Sequence, residues 1–119
     1  MDCKEYRKRY AEFTESPLEK EVWDTPEYES WQDHGFDCGV CADWHLEQSV
    51  IERGHKLADF PCVHIAYHST KTCEEHDDPW ECPDMTLAKI SDDEYCIPIR
   101  DGGSSFIEIT HCPWCGIKL

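Results

Sequence analysis

The residues best suited to chemistry stand at His111-Cys112-Pro113-Trp114-Cys115-Gly116. Two thiols two residues apart, with Pro after the first and Gly after the second, describe a tight turn that aims both sulfurs at one point. This is a zinc-knuckle pattern: half of a tetrahedral Zn²⁺ site, whose other ligands must come from upstream. Two other chemistries use similar residues. Cys-Pro-Trp-Cys is also a thioredoxin-type redox pattern, but that chemistry needs a helix after the first Cys to lower its pKa, and only four residues follow Cys115. His45-Leu46-Glu47 upstream of a Cys pair echoes the zinc deaminases, which expect a Pro before the Cys pair and a helix carrying it. Position 111 is His. Zinc binding is the preferred reading.

A second C-x-x-C, Cys38-Gly39-Val40-Cys41, lacks the Pro and Gly of a knuckle and precedes an apolar stripe of helical period. A cap position can present two sulfurs to a metal, and it is also where reactive thiols sit. The metal reading is favoured over a pair of unligated thiols. The densest ligand stretch holds Cys62, His64, His68, Cys73, His76 and Cys82. Within it, His68-x4-Cys73-x2-His76-x5-Cys82 could supply two nitrogens and two sulfurs, enough for a four-coordinate site. The partners of Cys112 and Cys115 are expected among Cys38, Cys41 and Cys62, with the His68 to Cys82 set forming a second site or the missing ligands. Cys3 reads as a free thiol, and Cys96 as a packed one.

The elements that must position these residues follow from apolar period. Tyr6, Tyr10 and Phe13 recur at helical spacing, predicting a short amphipathic helix that ends near Ser16-Pro17. Glu21 to Asp37 carries six acidic residues and no basic one, interleaved with Val22, Trp23, Tyr28, Trp31 and Phe36. Two helical turns divided by Pro26 are expected there, with rings against the core and carboxylates in water. A third helix is expected from about Ala42 to Leu57, with Trp44, Ile51 and Ala58 on one stripe and Leu46, Val50 and Leu57 beside it. From Met85 the period changes to two. Tyr95, Ile97 and Ile99 alternate with Cys96, Pro98 and Arg100, and a second run begins at Phe106 after Asp101-Gly102-Gly103-Ser104. That is a hairpin signal, with Pro98 marking a local edge or bulge. The predicted fold is α+β: N-terminal helices packed on a small antiparallel β-sheet that leads into the knuckle. It reads as a single domain over residues 1–119, with 1–60 a mainly helical extension and 61–119 the β part.

Composition sets the function classes. Nine Cys and seven His in 119 residues, an odd Cys count and no hydrophobic leader favour metal ligation in a reducing, cytoplasmic setting over a secreted disulfide framework. No apolar run approaches the length of a membrane span. Twenty-six acidic residues stand against eleven basic, for a formal net charge of −15. Such a surface repels phosphate backbones and anionic lipid, so direct nucleic-acid and membrane binding are disfavoured and a basic protein surface is the expected partner.

From about Cys62 to Leu119 the chain resembles a family of short uncharacterised bacterial and phage proteins with a zinc-ribbon-like fold. The matching residues are Tyr67-His68-Ser69, Cys73, His76, Asp78-Pro79-Trp80, Cys82-Pro83-Asp84, Asp101 to Ser105 and Cys112 to Gly116. In that family the segment opens on two adjacent Cys, whereas here Pro61 precedes Cys62. The resemblance therefore leaves one ligand to be replaced, with Cys38 or Cys41 as candidates. It implies a fold and no activity.

The function expected from these features is a small zinc-binding, non-enzymatic protein-interaction module of bacterial or phage type. Two alternatives remain. One is an acidic inhibitor that imitates nucleic acid, and the other is an enzyme with three protein ligands and a water on zinc, using Glu47, Glu74 or Glu75 as general base.

Overall fold

The computed structural model describes residues 1–15 and 17–119, which divide into two compact units, Met1–His45 and Leu46–Leu119. In the first, α1 (Cys3–Lys8) starts where the Asp2 carboxylate accepts the Glu5 N–H at 2.8 Å, and basic Arg7 and Lys8 occupy its last turn. The helix is interrupted at Arg9 and resumes as α2 (Tyr10–Thr14). Tyr6 and Phe13 are buried and Tyr10 half-buried, as their spacing requires. The helical turn closes at Glu15, and the expected end at Ser16 lies outside the described residues.

Pro26 separates α3 (Lys20–Trp23) from α4 (Pro26–Asp37). Pro26 at the first helical position and Thr25 as N-cap, accepting the Tyr28 N–H at 3.2 Å, set the start of α4. This helix has twelve residues, longer than the two turns expected. Its one buried residue is Trp31, with Tyr28 and Gly35 half-buried on the same side. Phe36, one residue further round, is turned away and 88% exposed, and Trp23 on the one-turn α3 is 47% exposed, so the rings are not uniformly directed to the core. The core of this unit is Tyr6, Phe13, Trp31 and Cys41. Tyr6 and Trp31 stack with centroids 4.8 Å apart, and the Trp31 indole N–H donates to the Tyr6 carbonyl at 2.9 Å. The Tyr6 hydroxyl lies 3.0 Å from His45 Nδ1.

The next helix, α5 (Gly39–Glu52), begins three residues before the expected start and stops five before the expected end. Gly54, with φ +88°, is the reason for the early stop. Its N–H donates to the Ile51 carbonyl and that of His55 to Val50, the paired bonds of a Schellman cap. Leu57–Asp59 then forms only a 3₁₀ turn, leaving Ile51 and Ala58 exposed although Val50 is fully buried.

The second unit holds α6 (Val63–Thr70) and, among the described residues, a three-stranded antiparallel sheet in the order β1 (Ala88–Ser91), β2 (Glu94–Pro98), β3 (Phe106–Ile109). The β1–β2 ladder contains an irregularity between Lys89 and Ser91, and β2 pairs β3 from Tyr95–Ile109 to Pro98–Phe106. The hairpin turns at Asp101–Ser104, where the Asp101 carboxylate accepts the Gly103 N–H and Gly102 adopts φ +87°. Pro98 ends the central strand beyond the last residue that β1 pairs, Cys96, so its missing N–H breaks no ladder bond on that side. Both faces of β2 are used. Tyr95 packs with Ile65, Leu87 and Cys112, while Cys96 packs with Met85 and Ala88; Ile97 and Ile99, in step with Tyr95, are exposed toward the hairpin tip. The fold is α+β. No helix among the described residues is long and apolar enough to cross a membrane.

Candidate metal centres

After β3 the chain folds back tightly. The Cys112 N–H donates to Ile117 at 2.8 Å, Gly116 to Cys112 at 2.9 Å and Leu119 to Thr110 at 2.9 Å, with His111 bridged to Lys118. Gly116 takes φ +77°, which an L side chain adopts only with strain, and this turn brings Cys112 and Cys115 to one point. Opposite them is the start of α6, where Cys62 is the N-cap and its sulfur accepts the Ile65 N–H at 3.5 Å. The donor atoms of Cys62, His64, Cys112 and Cys115 all lie within 4.8 Å of one another. Three sulfurs and one imidazole nitrogen make a complete structural-zinc donor set.

The electrostatics of this group favour a cation. Burial raises the Cys112 thiol, but N–H groups of Cys115 and Trp114, with the neighbouring thiols, draw it below the ordinary Cys value. Cys62 is pushed up to about 12, first by burial and then by the nearby Cys112 and Cys115. Burial and the neighbouring thiols oppose a thiolate at Cys62, and a positive ion shared by the site would offset that cost.

A second group comprises Cys73, His76 and Cys82. Cys73 Sγ stands 2.9 Å from His76 Nδ1, and the Cys73 N–H donates to the Cys82 sulfur at 3.3 Å. Successive turns build it: His76 N–H to Cys73, Cys82 N–H to Pro79 and Met85 N–H to Cys82. Arg100, reaching from beyond β2, donates to the carbonyls of Cys82 and Met85, each at 3.0 Å. His68 joins neither group. Its ring lies on Trp114, its Nδ1 is 3.4 Å from Thr86 Oγ1, and burial above all, then Lys71, lowers its pKa to about 4.

Cys38 and Cys41 belong to a third group, in the first unit, with Cys3 and His34. Of the three residues considered as partners of Cys112 and Cys115, Cys62 is the one found beside them. The N–H of Cys41 and the Cys3 thiol lower the Cys38 pKa, whereas burial pushes the Cys41 thiol up to about 11. Cys96 is fully buried and in none of the groups found among the described residues. Cys3, read from the sequence as a free thiol, stands in a group of possible ligands; His34 was not considered as a donor, and His64 stood in the ligand-dense stretch without being assigned to a site. A signal existed for two of them: His34 is one helical turn before Cys38, and His64 is two residues after Cys62.

Residues 59–119, just over half of the chain, match a domain of unknown function, DUF6980. The chain belongs to this family. The DUF6980 segment contains the Cys62 and Cys73 groups in full, and the Cys3 group lies outside it. No curated protein and no solved structure matches the chain. All three Cys/His groups could hold a metal ion and are compatible with zinc.

Proposed function

We propose that this DUF6980 protein is a small zinc-stapled, non-enzymatic interaction module whose partner presents a basic protein surface. One observation carries the reading: Cys62, His64, Cys112 and Cys115 supply four protein donors at one point, the closed set of a structural zinc site. The metal fastens α6 to the knuckle across the core formed by Ile65, Leu87 and Tyr95, and so rigidifies the sheet. The acidic residues of Glu21–Asp37 and Glu74–Glu94 are exposed, which suits recognition of Lys and Arg by charge. A DNA- or RNA-binding protein would be met by the same surface, so nucleic-acid mimicry is the narrower form of this reading.

The test is zinc content by mass spectrometry of the purified chain and of Cys115→Ser. Loss of metal and of the folded C-terminal unit together supports the staple, and a folded variant without its zinc overturns it.

A second reading rests on the Cys73, His76 and Cys82 group, whose three protein donors match the count of a catalytic zinc. Exposed Glu74 and Glu75 adjoin it in sequence and would serve as general base. Cobalt substitution discriminates: added azide shifts the visible bands of a centre with an open position and leaves closed centres unchanged.

A further inference from the structure

We propose that Cys3, His34, Cys38 and Cys41 hold a zinc ion of their own, a structural centre of the N-terminal unit that is separate from the DUF6980 segment. The four donors come from three elements. Cys3 opens α1, His34 lies in the last turn of α4, Cys38 is the C-cap of that helix, and Cys41 lies in the first turn of α5. Their ligand atoms all stand within 4.8 Å of one another. The Cys3 and Cys38 sulfurs are 3.7 Å apart. Two sulfurs about 2.3 Å from one tetrahedral zinc stand about 3.8 Å apart, so this pair already has the spacing of a ligand edge.

A second observation points to a ligand independently. His34 Nε2 is shut away from solvent with no hydrogen-bond partner among the described residues. A buried polar atom left unpaired is costly, and native structures rarely tolerate one without a reason. A cation bound at Nε2 would supply that reason, because the metal takes the place of the missing hydrogen-bond partner and fixes the tautomer of the ring. The donor set also spans the boundary of the core: Cys41 is fully buried beside Tyr6 and Trp31, and Cys3 is exposed, leaving a solvent side by which the ion enters.

The unit has a physical need for such a centre. Its helices α1, α2 and α3 have six, five and four residues, too short to persist by themselves. Its buried cluster has four members among the described residues, and a core of that size in a unit ending at His45 falls in the range where natural domains add metals or disulfides. A zinc joining Cys3 to Cys38 ties the first helix to the α4–α5 junction.

Native mass spectrometry of the reduced, zinc-loaded full chain tests this. The double variant Cys3→Ser/Cys38→Ser, which leaves buried Cys41 in the core, should carry one zinc fewer than the parent. Cys115→Ser should lose a different zinc, so failure of the knuckle site and failure of this one are read separately. Because the double variant removes a staple, His34→Cys provides a check that keeps four donors: zinc count should be unchanged, and with Co²⁺ the sulfur-to-cobalt charge-transfer band should grow. Alkylation by N-ethylmaleimide, mapped by peptide, should spare Cys3 and Cys38 in zinc and modify them after chelation. An unchanged zinc count in the double variant, or equal alkylation of Cys3 with and without zinc, overturns the proposal.

Discussion

The His68 imidazole lies flat on the Trp114 indole, with ring centroids 3.9 Å apart and planes within 5° of parallel. His68 therefore reaches the knuckle through packing, and Trp114, between Cys112 and Cys115, is held from the α6 side. An aromatic contact of this kind adds about 0.5–1.5 kcal/mol beyond the area it buries.

This contact gives a pH prediction with a definite sign. With its folded pKa lowered to about 4 by burial and by Lys71, His68 binds its proton less readily in the folded chain than in the unfolded one. Its contribution to stability is intact above about pH 6.5 and is lost as pH falls through the folded value. In Trp114→Ala the ring is uncovered, and NMR titration of His68 should show its pKa rising toward the ordinary value. An unchanged titration would mean that the indole does not shield it.

Removing the knuckle metal should be more damaging than removing any single packed side chain. Zinc binding in finger peptides is worth roughly 10–16 kcal/mol, against a net stability of about 5–15 kcal/mol for a typical domain. Cys112→Ser, or chelation of the parent, is expected to abolish the cooperative thermal transition of the C-terminal unit. Retention of that transition would contradict the closed-site assignment.

Arg100 should tune the Cys73, His76 and Cys82 group without touching its donors. Its guanidinium fixes the carbonyl of Cys82 and that of Met85, and outer contacts of this type alter metal affinity by about 10–100-fold. Competition with a zinc indicator should find weaker binding at that group in Arg100→Ala and undiminished binding at the knuckle.

Gly35 is a steric test of the N-terminal core. A Cβ there would meet the Tyr6 hydroxyl at 2.9 Å and its ring at 3.2 Å. Tyr6 is stacked on Trp31 and engaged by His45, so it has little room to yield. Gly35→Ala should cost about 1–3 kcal/mol by overpacking, while Gly39→Ala, which meets nothing within 4 Å, should be tolerated. Paired chemical denaturation curves would decide it.

The charge reading is checked by reversing Glu21, Asp24 and Glu27 to Lys, all three exposed. Cross-linked complexes formed in lysate at low salt should disappear with the triple variant and with high salt, at unchanged zinc content. Complexes indifferent to both would remove charge as the basis of recognition.

The parts of the molecule set by local chemistry were readable in the sequence. Asp101 to Ser104 announced the hairpin, Cys112 to Gly116 the knuckle, and Pro26 the division before α4. Helix length was less accessible because Gly54 ends α5 against an apolar pattern that runs on to Leu57. Ligand grouping was least accessible, since it depends on which helices meet. Cys3 has no neighbour of metal spacing in the chain, and it comes to Cys38 because α1 packs on α4 through Tyr6 and Trp31. His68 had a ligand's spacing, and it stands outside the three groups in a ring stack on Trp114 that spacing does not encode.

The whole β-sheet lies in sequence between Cys62-x-His64 and Cys112-x-x-Cys115. A zinc bound at the knuckle would therefore be a clasp on a circuit of about fifty residues, and by chain-entropy reasoning for cross-links it would restrict the denatured chain by about 4 kcal/mol. One consequence concerns a broken chain. A single proteolytic nick between Asp101 and Ser105 would leave two fragments, one carrying Cys62 and His64 with β1 and β2, the other carrying Cys112 and Cys115 with β3. They should migrate together in gel filtration and part when a chelator opens the clasp.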